Sequence, residues 1–411
     1  MKFEKYFLSN DIKDGLAKMG FKRPTDIQFK SIPHILKGED LLAIAQTGTG
    51  KTAAFAIPIL DMLHRRKMKR RKDGIKCIVM VPTRELCIQI ADVFKSIGRS
   101  TKVVTHAVIG GVDQDPQIAR LEKGIDILVA TPGRLFDLVS QGYIKLHRIE
   151  FLVLDEADLM LDLGFIKDIR DLIRFLPKKR QTLFFSATID QKIKKLAYSL
   201  VNNPIRIQLS PKNPVSKNVE HLYVKIEMDD KRFFLERIVK ENPSEKVIAF
   251  VRTKVRAERV TKAMERVGIQ ARFLHGDKDQ SDRMKTLNGF RRDDFNLLIA
   301  TDVSARGIDI PNVSLVINYD LPEDTEYYVH RIGRTGRGKN RGTAYSFCAP
   351  HETKLLQQIE EYLGDPIAEL IIEDDDYQEV KDFSKEKTLT MEDIESMISE
   401  GFDKKKKKKK K

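Results

Sequence analysis

The stretch Ala45-Gln46-Thr47-Gly48-Thr49-Gly50-Lys51-Thr52 constrains this chain more than any other. It stands directly after an apolar run, Leu41-Leu42-Ala43-Ile44, and directly before the helical pattern Ala53-Ala54-Phe55-Ala56-Ile57. A glycine-containing turn between a strand and a helix points backbone N–H groups at an anion beside the helix N-terminus. Thr47, Gly48, Thr49 and Gly50 then cradle phosphates, Lys51 reaches the β and γ phosphates, and the Thr52 hydroxyl can ligate Mg²⁺. Ala45 stands where such loops usually carry their first glycine, a departure that a turn with negative φ tolerates.

The surrounding pattern agrees with a parallel α/β sheet. Short apolar runs at 41–44, 77–81, 125–129, 151–154 and 182–185 alternate with helix-like stretches. After Asn202-Asn203-Pro204 and Ser210-Pro211-Lys212-Asn213-Pro214 a second series begins, with strands expected at 246–251, 271–275, 296–300, 315–319 and 342–347. The expected organisation is a first domain over 1–207, a linker over 208–217, a second domain over 218–364 and a short, charged, disordered tail over 365–411.

Charge narrows the partners. Seventy-four Lys and Arg against 60 Asp and Glu give a net +14 over 411 residues. The terminal eight lysines and the acidic 365–403, with 14 acidic and 3 basic residues, leave +17 on residues 1–364. The basic character therefore belongs to the folded part and favours a polyanion, nucleic acid before anionic membrane. No run of 18 apolar residues exists and the start lacks a signal-peptide core, so no membrane role and a cytoplasmic location are expected. Cys77, Cys87 and Cys348 have no metal-like spacing and read as reduced thiols.

Opposite the phosphate loop, the apolar 151–154 ends in Asp155-Glu156-Ala157-Asp158. A carboxylate at the tip of a neighbouring parallel strand can hold Mg²⁺, which assigns Asp155 with Thr52 to the metal, and leaves Glu156 as general base for an attacking water.

With these two motifs in place the chain resembles the DEAD-box family of ATP-dependent RNA helicases, from about Phe3 to Gly364. The likeness rests on Gly20-Phe21-Lys22-Arg23-Pro24-Thr25-Asp26-Ile27-Gln28, Pro82-Thr83-Arg84-Glu85-Leu86, Gly110-Gly111, Thr131-Pro132-Gly133-Arg134 and Ser186-Ala187-Thr188. In the second half it continues through Ala249-Phe250-Val251-Arg252-Thr253, Gln280-Ser281-Asp282-Arg283, Thr301-Asp302-Val303-Ser304-Ala305-Arg306-Gly307-Ile308-Asp309 and His330-Arg331-Ile332-Gly333-Arg334-Thr335-Gly336-Arg337. The resemblance implies two tandem RecA-like domains, the first opening with a Q motif over 1–29, and a monomer that uses ATP and Mg²⁺. By the same resemblance Gln28 reads the adenine edge and Phe3 stacks on the base. Gly307 and Asp309 meet the nucleotide. Arg334 and Arg337 act as arginine fingers beside Lys51, Asp155 and Glu156. Asp158, Ser186, Thr188 and His330 link hydrolysis to RNA.

The implied RNA contacts are Thr83, Arg84, Gly110, Gly111, Thr131, Gly133 and Arg134 in the first domain, and Arg252, Gln280, Arg283 and Thr301 in the second. Hydroxyls, helix starts and glycine N–H groups suit phosphates and riboses, which carry no base identity. The chain has no Trp and no aromatic platform, so weak sequence preference is expected. The implied action is local strand separation or remodelling of RNA–protein complexes; an ATP-dependent RNA clamp with little unwinding uses the same residues, and a DNA-directed helicase is a third reading. Two features lie outside the resemblance. Residues 65–72 hold seven positive charges and read as a solvated loop or an accessory phosphate contact. Residues 390–400 carry Met391, Ile394, Met397 and Ile398 on one helical face, which suits a protein partner's groove.

Overall fold

The computed structural model describes residues 2–46, 48–67, 74–189, 191–209, 215, 218–274, 280–305, 313–336 and 340–383. Segments of two to seven residues, most of them apolar runs too short for helices and closed by polar turns, form two sheets. The first contains β1 (Leu41–Ala45), β2 (Cys77–Met80), β3 (Thr105–Val108), β4 (Ile127–Ala130), β5 (Phe151–Leu154), β6 (Gln181–Ser186) and β7 (Ile205–Leu209), in the order β3-β4-β2-β5-β6-β1-β7. The second contains β8 (Val219–Lys225), β9 (Lys246–Phe250), β10 (Ala271–Leu274), β11 (Leu297–Ala300), β12 (Val313–Asn318), β13 (Gly342–Cys348) and β14 (Ala368–Glu369), in the order β10-β11-β9-β12-β13-β8-β14. Every recorded pairing is parallel. The second order repeats the first strand for strand, so the two domains are topological copies.

Continuous apolar strands arise because both faces of each sheet are covered. In the first domain Ala43, Val79, Val129, Val153 and Phe185 meet the helices Asp26–Leu36, Lys51–Lys67 and Arg84–Ile97. Their neighbours Leu42, Ile78, Leu128, Leu154 and Phe184 meet Pro132–Ser140, Ile166–Phe175 and Gln191–Leu200 on the other face. All three cysteines are buried and free. Among the described residues no helix is long and apolar enough to cross a membrane.

Three expectations change. First, β5 is not the direct neighbour of β1, because β6 lies between them. Second, β3, β7, β8 and β14 carry polar residues within them, so they lack the continuous apolar run that marks an interior strand; β7 extends the first domain to Leu209.

Third, the acidic segment after Gly364 is not tail. Ile367 is buried, Leu370 N–H donates to the Tyr223 carbonyl at 2.8 Å, and helix Asp374–Phe383 docks on helix Lys231–Glu241. Tyr377 packs on Phe234 at 4.9 Å between ring centres and its hydroxyl donates to Asp230 at 3.1 Å, while Val380 is buried one turn on. Three aspartates in the first turn hid this helix, since they suit its N-terminus while reading as a charge run. Residues 384–411, with the 390–400 segment and the lysine run, lie outside the described residues, as does most of the expected linker.

Truncation after Gly364 is expected to remove the buried Ile367 and Val380 and uncover Phe234, to cost about 3 kcal/mol and to lower the melting temperature of the second domain by roughly 6–12 °C in differential scanning calorimetry.

Candidate nucleotide and nucleic-acid site

The phosphate loop leaves the carboxyl end of β1. Gly50 has φ +93°, and an added Cβ would lie 2.5 Å from Gln28 Nε2, so glycine is required for both reasons. Gln28 is buried; its Oε1 accepts the Thr25 N–H at 3.0 Å and its Nε2 donates to the Gly50 carbonyl at 3.1 Å. One amide thus caps its own helix and ties it to the loop, leaving one N–H and one lone pair for an adenine edge. Thr49 Oγ1 braces the turn by donating to the Gln46 carbonyl at 2.8 Å. Lys51 Nζ is buried and has no hydrogen-bond partner among the described residues. A buried ammonium without a partner is costly, and an anionic ligand is what relieves it.

The stacking role expected of Phe3 is not supported by its surroundings. The ring is 3% exposed and packs on Tyr6 and Phe21 at 5.9 and 6.1 Å, which makes it an anchor of the N-terminal segment with no free face for a base. Thr47, Gly307, Asp309 and Arg337 lie outside the described residues.

At the tip of β5, Asp155 is buried and takes the Glu156 N–H at 3.0 Å; burial raises its carboxyl and Lys51 opposes that. Glu156 sits in the left-handed region at φ 52°, ψ 50°, a conformation that costs a β-carbon residue roughly 1 kcal/mol or more. Burial pushes its carboxyl up to about 7; Lys51 pulls it down, Asp155 and Asp158 push it up, and the Arg334 guanidinium pulls it down. Arg334 belongs to the second domain, so both domains contribute to this pocket. Asp158 Oδ2 accepts the N–H groups of Ala187 at 3.0 Å and Thr188 at 3.2 Å, which fastens the loop after β6 to the loop after β5. Ser186 Oγ is buried and unpartnered among the described residues. Thr52 and Asp155 give a hard oxygen donor set beside the phosphate loop, which fits Mg²⁺.

The expected RNA contacts of the first domain converge at the carboxyl ends of β2, β3 and β4, adjacent in the sheet. Thr83 Oγ1 caps helix Arg84–Ile97 by accepting the Leu86 N–H. Gly111 has φ +71°, and a Cβ there would lie 2.2 Å from the Arg84 guanidinium, which the Gly110-Gly111 turn cradles. Arg134 donates to the Val112 carbonyl at 3.0 Å, and Thr131 and Gly133 lie where its helix Pro132–Ser140 begins. These groups occupy one half of the sheet's carboxyl edge and the phosphate loop the other; between them Asp155 and Asp158 follow β5 and Ser186 ends β6. Of the cationic run, Arg65 is paired with Asp61 at 2.7 Å and Arg66 with Glu150, while 68–72 lie outside the described residues.

In the second domain two expected RNA residues do other work. Arg283 is buried and its Nε meets Glu85 Oε1 at 2.9 Å, an ion pair between domains, because its guanidinium points across the cleft. Arg252 is held by Glu352 at 3.2 Å and Glu323 at 3.5 Å, so its charge is already matched within its domain. Thr301 is buried and shares its hydroxyl with Ser304 at 3.0 Å, closing a local turn. Gln280 opens helix Gln280–Arg291. His330 lies in helix Thr325–Ile332 and its carbonyl accepts Arg334 Nε at 3.2 Å.

Two residues given no role by sequence reasoning are central. Glu85 carries the interdomain pair. Arg331, fully buried, makes a bidentate pair with Asp302 at 2.6 and 2.7 Å and donates to the Asp320 carbonyl at 2.6 Å, which sets the helix bearing His330 and Arg334. Both stand inside motifs already recognised, and their charge was the available signal.

Comparison with known proteins places these elements. The DEAD/DEAH box helicase profile matches residues 25–196 and the helicase conserved C-terminal domain profile matches 230–339. The chain is 39% identical over 362 residues to the ATP-dependent RNA helicase DbpA of Bacillus subtilis, covering 88% of this chain and 74% of that protein. It is 41% identical over 360 residues to the ATP-dependent RNA helicase CshA of Listeria monocytogenes, covering 88% and 68%. Saccharomyces cerevisiae Dbp5 bound to RNA and ADP BeF3 superposes with a TM-score of 0.82 at 32% identity, over 93% of this chain and all of that one. Both domains are matched at once, so their mutual placement is similar to that in the Dbp5 complex.

Breaking the interdomain pair tests this placement. Glu85→Gln or Arg283→Ala strands a buried charge worth about 3 kcal/mol or more in the closed state. RNA-stimulated ATP turnover at subsaturating RNA is expected to fall about 100-fold, with the double variant no worse than either single one.

Proposed function

Since the chain belongs to the DEAD-box family of ATP-dependent RNA helicases and is an RNA-dependent ATPase, we propose that it couples ATP hydrolysis to local separation of RNA duplexes or remodelling of RNA–protein complexes. The observation that carries this reading is the interdomain ion pair of Arg283 with Glu85 at 2.9 Å, which closes the cleft so that the charge of Arg334 on the second domain acts on the Glu156 carboxyl of the first. Lys51 neutralises the β and γ phosphates, and Mg²⁺ held by Thr52 and Asp155 supplies further charge neutralisation when bound. Glu156, with a carboxyl near neutrality, accepts the proton of the attacking water. Arg334, with Arg337 as its proposed partner, stabilises charge that develops on the transferring phosphoryl group. The fingers reach the phosphates only when the domains meet, so the open protein hydrolyses slowly.

Arg84 and Arg134 grip the RNA backbone with hydroxyls and helix starts beside them, which favours RNA contact with little base preference. Asp158 then carries the state of the nucleotide to the loop after β6. All of these residues come from one chain, which supports action as a monomer; a cytoplasmic location is proposed with it.

A short RNA duplex with a labelled strand tests the reading. Strand release is expected with ATP, and is expected to fall at least about 100-fold in Glu156→Gln while ATP binding is kept, as for loss of a general base. Full ATP turnover with no strand release and a long-lived RNA complex would replace unwinding with clamping.

A further inference from the structure

A cavity of about 700 Å³ is lined by residues of the second domain, with no residue of the phosphate loop among them. Its floor is formed by the carboxyl ends of β9 and β12, where Tyr319 and Asp320 follow β12, and one wall is helix Lys254–Arg266. The chain leaves β9 toward β10 on one side and β12 toward β13 on the other. A crevice at such a reversal, outside the carboxyl ends of parallel strands, is where α/β sheets bind ligands.

The lining is cationic beyond what the protein balances. Six Lys and Arg, Arg252 among them, line it against two carboxylates, Asp229 and Asp320; Asp320 is engaged by Arg256 at 3.0 Å, and Glu265 on the same helix as Arg256 by Arg272 at 3.3 Å. Arg259, Lys262 and Arg266 are exposed, line the cavity, and have no ion-pair partner among the described residues. They stand at i, i+3 and i+7 on one helix face, where like charges repel. Arg232 faces them from the start of helix Lys231–Glu241, and Val255, Val260 and Ala263 supply apolar wall between the charges. Excess positive charge in a concave site of small-molecule size calls for a compact anion that carries several charges.

We propose that this crevice binds a polyphosphorylated small molecule, at a site separate from the ATP site. Its phosphates lie against Arg259, Lys262 and Arg266, with Arg232 closing the far side, and its remaining part rests on the apolar wall. The phosphates of RNA offer the same chemistry, so the experiment separates the two sources.

The full chain, loaded with ADP, beryllium fluoride and a short saturating RNA, is titrated with inorganic tripolyphosphate by calorimetry. It is compared with a variant carrying Arg259→Ala, Lys262→Ala and Arg266→Ala, three exposed positions whose loss leaves the core untouched. A one-to-one event that weakens at least tenfold in the variant, with RNA-saturated ATP turnover unchanged, supports the proposal. No saturable event, or equal binding by both proteins, overturns it. Reduced RNA affinity and a shallower salt dependence in the variant, with no tripolyphosphate event, overturns it as well and assigns the crevice to the RNA path.

Discussion

The buried charges around the phosphate loop are the constraint on which the rest of the structure depends. Lys51, Asp155 and Glu156 come from the first domain, one positive against two negative, and Arg334 comes from the second. Water cannot screen these groups, so their energies depend strongly on which neighbours are present. The first domain can hold the nucleotide with Lys51 and its glycine loop, but the cation that matches Glu156 arrives with the second domain. The ion pair between Glu85 and Arg283 ties the two domains at the same cleft. A binding surface and a catalytic surface are thereby made to close together, which is how RNA can govern a reaction on ATP.

The two sheets repeat one topology, yet only one holds a phosphate loop. The lysine that opens the helix after β8, Lys231, takes the position of Lys51 after β1. There the loop is Ile226-Glu227-Met228-Asp229-Asp230, without glycine and with three carboxylates, and Lys231 is paired with the fully buried Glu352. Burial lowers the Lys231 ammonium while Glu352 raises it. An internal carboxylate stands in for the phosphate, so the duplicated fold is committed in its second copy to carrying arginines toward the first.

Much of this was legible in the sequence. The phosphate loop, Asp155-Glu156-Ala157-Asp158 and the interior strands announce themselves because buried parallel strands are continuous apolar runs and because glycine marks close approach. The outer strands β3 and β7 were not legible, since exposure on one side lets polar residues enter. The helix Asp374–Phe383 was hidden behind its aspartates. Site chemistry was legible as membership in motifs, but not as geometry. Nothing in the one-dimensional pattern distinguishes Arg283, turned to Glu85, from an arginine turned to RNA, and nothing shows Phe3 enclosed by Tyr6 and Phe21. Partner choice among charged side chains is settled by three-dimensional packing.

The central claim is that RNA, and not nucleotide alone, brings Arg334 to Glu156. The most direct measurement is the steady-state ATPase rate with no nucleic acid, with single-stranded RNA and with DNA of matched sequence. The account predicts a low basal rate, strong stimulation by RNA and little by DNA. Equal rates in all three conditions would contradict it, because the two halves of the site would then meet without RNA.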